Sequence, residues 1–109
     1  MTGDKFRNCF LDYMTHQEFT DTLRDAQPPT GLHPVGQALW YDAKGNWEQA
    51  HEIAQSREGD QPYDRLHAYL HRKEGDRFNA NYWYRRAGAS FFSGSLEEEW
   101  ADLIQQYLK

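Results

Sequence analysis

A chain of 109 residues is enough for one domain and too short for two, and such a domain can bury roughly 65% of its unfolded surface without disulfide or metal staples. Aromatics make up 16% of residues although the mean hydropathy is only −1.01, which excludes a disordered chain and points to Trp, Tyr and Phe packed on small residues. The net charge of −5 argues against non-specific nucleic-acid binding, and no apolar run approaches the roughly 20 residues needed to span a bilayer.

Residues 1–13 form a poorly defined N-terminal segment ahead of a single helical domain over 14–109. Phe6, Phe10 and Met14 are spaced i, i+4, i+8, which is compatible with a helix. Cys9 is the lone cysteine, so no internal disulfide can form, and the first residues lack the apolar stretch of a secretion signal; a reducing, cytoplasmic setting is expected.

The first well-marked helix follows Thr15, which with Glu18 makes an S/T-x-x-E capping box, flanked by Met14 and Phe19 at the hydrophobic-staple positions. It must stop before Pro28-Pro29. Pro34 suits the first turn of a second helix through ALWYDAK, ended by Gly45. Asn46 caps a third, with Ala50, Ile53 and Ala54 on one face and Gly59 at its end. Pro62 starts a fourth helix, DRLHAYLHRKE, which stops at Gly75, and Asp76 caps a fifth, RFNANYWYRRA, which stops at Gly88. Phe91 and Phe92 sit in a loop, and a second capping box, Ser95 with Glu98, opens a last helix with apolar residues Leu96, Trp100, Leu103, Ile104, Tyr107 and Leu108. No strand-like alternation of useful length occurs, so the expected fold is all-α, with five or six helices in antiparallel hairpins.

A shift of 30 residues lays Ala38, Gly45 and Ala50 on Ala68, Gly75 and Ala80, each unit being a helix, a Gly-Asn or Gly-Asp turn and a second helix. Residues 68–88, AYLHRKEGDRFNANYWYRRAG, resemble one tetratricopeptide or Sel1-like repeat, with Ala68, Gly75, Ala80, Tyr84 and Ala87 in its small, turn and aromatic places. Residues 38–54 resemble it more weakly, since Ala54 replaces the large aromatic. The stretch from Ala38 to Gly88 is also similar to a set of short bacterial proteins sharing ALWYDAKG-type and YLHRKEGD-type strings, a likeness that implies no activity. The repeat resemblance implies a non-catalytic helical scaffold that holds a protein or peptide in a groove, with no cofactor.

Six of the twelve basic residues lie between Arg65 and Ala87 against only Glu74 and Asp76, a local +4 that leaves −9 for the rest of the chain. Arg72, Lys73, Arg85 and Arg86 interleave with Tyr69, Tyr82, Trp83 and Tyr84. Guanidinium forks bind carboxylates and phosphates, so Arg72, Arg85 and Arg86 are the candidate contacts to an acidic ligand or peptide. The competing reading has the rings in the core and the arginines paired with Glu74, Asp76 or the acidic last helix.

His67 and His71 are a further candidate pair for ligand binding: four apart on one helix, they can share a metal. A metal site needs a third ligand, for which Glu74 and His51 are within reach of the topology. Without one, one histidine packs and the other is solvated, and neither metal nor cofactor is expected. A small metal-dependent enzyme built on this pair, or a binder of nucleic acid or another anionic ligand, is the alternative to a scaffold. Glu97, Glu98 and Glu99 form a carboxylate run in the first turn of a helix, where the macrodipole favours negative charge, which explains them without acid–base catalysis. No catalytic residue is assigned.

Overall fold

The computed structural model describes residues 14–108, and among these there are helices and no strand. The helices are α1 (His16–Asp21), continued by a 3₁₀ turn over Thr22–Arg24, then α2 (Pro34–Ala43), α3 (Trp47–Gln55), α4 (Gln61–Lys73), α5 (Arg77–Arg86) and α6 (Leu96–Tyr107). The helix expected from Phe6 to Met14, and Cys9, lie outside the described residues.

The local grammar of the chain accounts for these boundaries. Both capping boxes form: Thr15 Oγ1 accepts from the Glu18 N–H at 3.0 Å, and Ser95 Oγ from the Glu98 N–H at 3.0 Å, with each glutamate returning to the cap N–H. Asn46 and Asp76 cap α3 and α5 by accepting from Gln49 and Asn79. Gly45 and Gly75, at φ +86° and +89°, make the left-handed turns that reverse the chain within three residues, and an added Cβ would meet no neighbour there, so only the backbone conformation selects glycine.

The first helix stops before Pro28-Pro29 as expected, and one boundary differs from expectation. Helix α3 ends at Gln55 rather than Gly59, because the Ser56 hydroxyl donates to the Ile53 carbonyl at 2.6 Å and competes for the helical acceptor. Helix α1 tightens into its 3₁₀ turn at Thr22, whose hydroxyl donates to the Phe19 carbonyl and itself accepts from Trp40 Nε1 at 3.2 Å.

Helices α2 and α3, and α4 and α5, pack as consecutive pairs, α3 also lies on α4, and α6 crosses α2 and α4. The main core gathers Phe19, Val35, Leu39, Trp40, Leu66, Tyr69, Leu70, Leu103 and Ile104, all essentially without solvent contact. A smaller cluster joins Ala68 of α4 to Ala80, Trp83 and Tyr84 of α5, closed by Phe91 and Phe92. Ala68 and Ala80 are both fully buried, so two methyl groups set how closely α4 and α5 approach, and the rings fill the volume beside them.

Ala80→Leu should therefore overpack this contact and lower stability by about 1–3 kcal/mol, read as a shift in the urea midpoint. Ala43→Leu, on an exposed helix end, should stay within about 0.5 kcal/mol of wild type. Equal midpoints for the two variants would contradict a close α4–α5 contact.

Candidate functional site

Helix α4 is buried continuously from Tyr63 to Leu70. Its polar side chains therefore need partners inside the protein, and they find them in three places. The first is Glu99 of α6, which has no exposed surface. Arg65 Nη1 lies 2.8 Å from Glu99 Oε2 as an ion pair, Arg72 Nη1 donates to Glu99 Oε1 at 2.7 Å, and the Tyr84 hydroxyl donates to Oε2. Arg72 also donates to the Gly94 carbonyl, and its guanidinium lies near the faces of Phe91 and Phe92.

The second is Asp42 of α2, 2% exposed, which accepts from the Tyr69 hydroxyl at 2.8 Å and from Lys73 Nζ at 2.9 Å. Burial and the adjacent carboxylates push the Tyr69 hydroxyl well above the usual phenol range, and burial with the Glu99 hydrogen bond does the same for Tyr84, so both act as donors throughout ordinary pH. The Asp42–Lys73 pair borders a cleft of about 410 Å³ between α1, α2, α4 and α6, whose apolar wall is Leu23, Ala43, Leu96, Trp100 and Ala101. Trp100 is fixed there by donating to the Leu39 carbonyl at 3.0 Å and by edge contact with His16.

The third place is a group of imidazoles. His67 of α4, 3% exposed, brings its Nε2 to 3.0 Å from the Nε2 of His51 on α3. His71, one turn further along α4, stacks on His67 at 4.9 Å and places its Nδ1 2.7 Å from Glu74 Oε2. Trp47 stacks on His51 at 4.8 Å, and Trp83 stacks on His67 at 3.8 Å. Burial, then the neighbouring His51, His71 and Arg86, push His67 down to about 3, and burial followed by His71 lowers His51.

The structure thus brings His67 and His71 together and adds His51. It does not gather the three arginines. Arg72 is turned inward to Glu99; Arg86 lies over Tyr82 and Trp83 with its Nε 4.0 Å from Asp64; Arg85 is exposed. None of the three lines the cleft, where the basic group is Lys73. All three glutamates stand in the first turn of α6 as expected; Glu97 and Glu98 are exposed, whereas the helical period carries Glu99 to the inner side between Leu96 and Leu103. Asp42 is a similar omission, and the signal was its place on the apolar stripe Val35, Ala38, Leu39.

No family model, curated protein or solved structure matches this chain. Among the described residues no helix is long and apolar enough to cross a membrane.

Glu99→Gln keeps the shape but leaves two guanidinium groups without their anion, so it should cost about 3–5 kcal/mol in urea denaturation, against about 0.5 kcal/mol or less for exposed Glu97→Gln. A second outcome concerns acid. Folded His67 resists protonation until about pH 3 while the unfolded chain takes up the proton near 6.5, so between these values the unfolded state binds more protons. In metal-free protein the stability contributed by neutral His67 is complete above about pH 6.5 and is lost as pH falls through this window. His67→Leu should flatten the fall of the urea midpoint below neutral pH; an unchanged slope would mean that His67 is not the titrating group.

Proposed function

We propose that this protein is a non-catalytic recognition module in which the cleft between α1, α2, α4 and α6 receives an extended segment of a partner protein or peptide. The observation that carries this reading is the cleft itself: about 410 Å³, apolar on its walls, with one ion pair at its margin. Ligand sites of this kind combine a largely hydrophobic lining with a few fixed polar groups. Lys73 has the right character for orienting a bound chain. Asp42 takes one of its N–H groups, its side chain is 38% exposed, and among the described residues its other donors have no acceptor, so they can meet a backbone carbonyl or a carboxylate.

The architecture supports the same conclusion by analogy. Two consecutive helix pairs with glycine turns resemble tetratricopeptide or Sel1 units, and grooves in such stacks commonly hold peptides. The likeness is carried by residues 68–88 and bears on scaffold type alone. In this reading Arg85 and Arg86 contribute at most to a surface around the partner, and Arg72 to the internal structure. The lone Cys9 favours a reducing, cytoplasmic setting.

A random peptide-display library panned on the full chain tests this. Enriched peptides should carry an aromatic or aliphatic anchor next to a hydrogen-bond acceptor. Their affinity, measured by calorimetry, should fall at least about tenfold, or about 1.4 kcal/mol, when Ala43→Trp fills the cleft. Failure to enrich any sequence, or equal affinity for Ala43→Trp, would remove the proposal.

A further inference from the structure

The pairing of His67 with His71, placed four residues apart on α4, leaves open how a buried histidine pair is used. His51 supplies the missing element. It projects from α3, and one nitrogen from each of His51, His67 and His71 lies within 4.8 Å of the other two. The closest pair, His51 Nε2 and His67 Nε2, is 3.0 Å apart. Two nitrogens bound to one tetrahedral ion at bond lengths of about 2.0–2.1 Å sit about 3.3 Å from each other. The His51 and His67 nitrogens are therefore near the separation that a shared ion demands, and His71 brings a third nitrogen within 4.8 Å of both.

The surroundings match what such a centre needs. Glu74 Oε2 sits 2.7 Å from His71 Nδ1, a carboxylate that holds the proton on that nitrogen and leaves Nε2 to coordinate, as outer partners of metal-binding histidines commonly do. Trp47 and Trp83 fix the planes of His51 and His67 by stacking, and Trp47 is itself anchored by donating to the Leu70 carbonyl at 2.9 Å. His67 is an expensive residue to keep without a ligand: it is 3% exposed, and among the described residues its Nδ1 has no hydrogen-bond partner. His51 is only partly buried and His71 has 12% of its side chain exposed, so an ion can reach the site from solvent.

We propose that His51, His67 and His71 form a binding site for one divalent transition-metal ion, with Glu74 as the group that orients His71. An all-imidazole donor set suits zinc and copper(II), and it disfavours magnesium and calcium, which take oxygen. Three ligands among the described residues fill three of the four positions of a tetrahedral ion, one fewer than in the closed four-ligand sites of structural zinc. This site lies on a different side of α4 from the peptide cleft and does not depend on it.

The test uses the full chain, purified without a histidine tag. Zinc should bind with one equivalent per chain, raise the melting temperature, and be displaced by a chelator. Copper(II) should quench the fluorescence of Trp47 and Trp83 with the same stoichiometry. With cobalt(II), the imidazole proton resonances of three of the five histidines should be paramagnetically shifted, leaving His16 and His33 in place. His51→Gln should weaken zinc at least about 100-fold, and Glu74→Gln about 10–100-fold, while Cys9→Ser should bind as wild type. Loss of binding in Cys9→Ser, unchanged affinity in His51→Gln, or cobalt shifts at His16 or His33 would overturn the assignment. The cobalt spectrum requires no substitution, so the proposal stays falsifiable should a histidine variant fail to fold.

Discussion

The arrangement of the molecule follows from one constraint: α4 is surrounded. From Tyr63 to Leu70 it offers almost nothing to solvent, yet its sequence there includes Asp64, Arg65, His67 and Tyr69. A buried polar group without a partner costs about 1–3 kcal/mol, and a buried lone charge more. Each of the four is answered by a side chain or backbone group from another part of the chain. Asp64 accepts from the Gly59 N–H, Arg65 meets Glu99, His67 meets His51, and Tyr69 meets Asp42. The loop before α4 and the helices α2, α3 and α6 are thereby each tied to it by a specific polar contact as well as by apolar packing.

These contacts decide geometry more than they add stability. Replacing a buried ion pair by apolar residues of similar volume is often neutral or favourable, whereas removing one partner is costly. What Glu99 does for this fold is therefore best understood as selection. A helix as amphipathic as α6 could bury Leu103 and Ile104 in several rotations, but only one sets Glu99 against Arg65, Arg72 and Tyr84 together. The same step draws Phe91 and Phe92 under Arg72 and holds the connection from α5 to α6 against the α4–α5 pair.

Much of the helical outline was legible because it is written in local chemistry. Thr15 with Glu18, Ser95 with Glu98, Asn46, Asp76 and the glycines at 45 and 75 each act within a few residues, so their effects need no knowledge of the fold. Helix α3 was drawn too long because Gly59 looked like its terminator, whereas Ser56 ends it earlier. The site was only partly legible, since charge and spacing do not say which way a side chain turns. Arg72 and Arg86 read as surface cations; one is turned inward to an acid 27 residues away, the other lies along Tyr82 and Trp83. Glu99 reads as part of an acidic first turn and Asp42 has no recognisable partner in the sequence, although their phase on the apolar stripes already points inward. His51 was named only as within reach, because its meeting with His67 depends on how α3 packs against α4.

Helical phase explains how one short helix serves several environments. At roughly 100° per residue, Arg65 and Arg72 fall within about 20° of each other, and Tyr69 and Lys73 lie about 40–80° further round. His67 and His71 fall about 200–240° from Arg65, on the opposite side. Formal charges accordingly collect where α2 and α6 bring Asp42 and Glu99, while the side facing α3 and α5 receives imidazole and indole rings. The separation has a chemical consequence. Arg86 of α5 is the guanidinium that neighbours His67, and the carboxylates Asp42 and Glu99 keep Lys73, Arg65 and Arg72 of α4 from adding to it. The acids that build the core therefore also keep the histidine face free of α4's own positive charges.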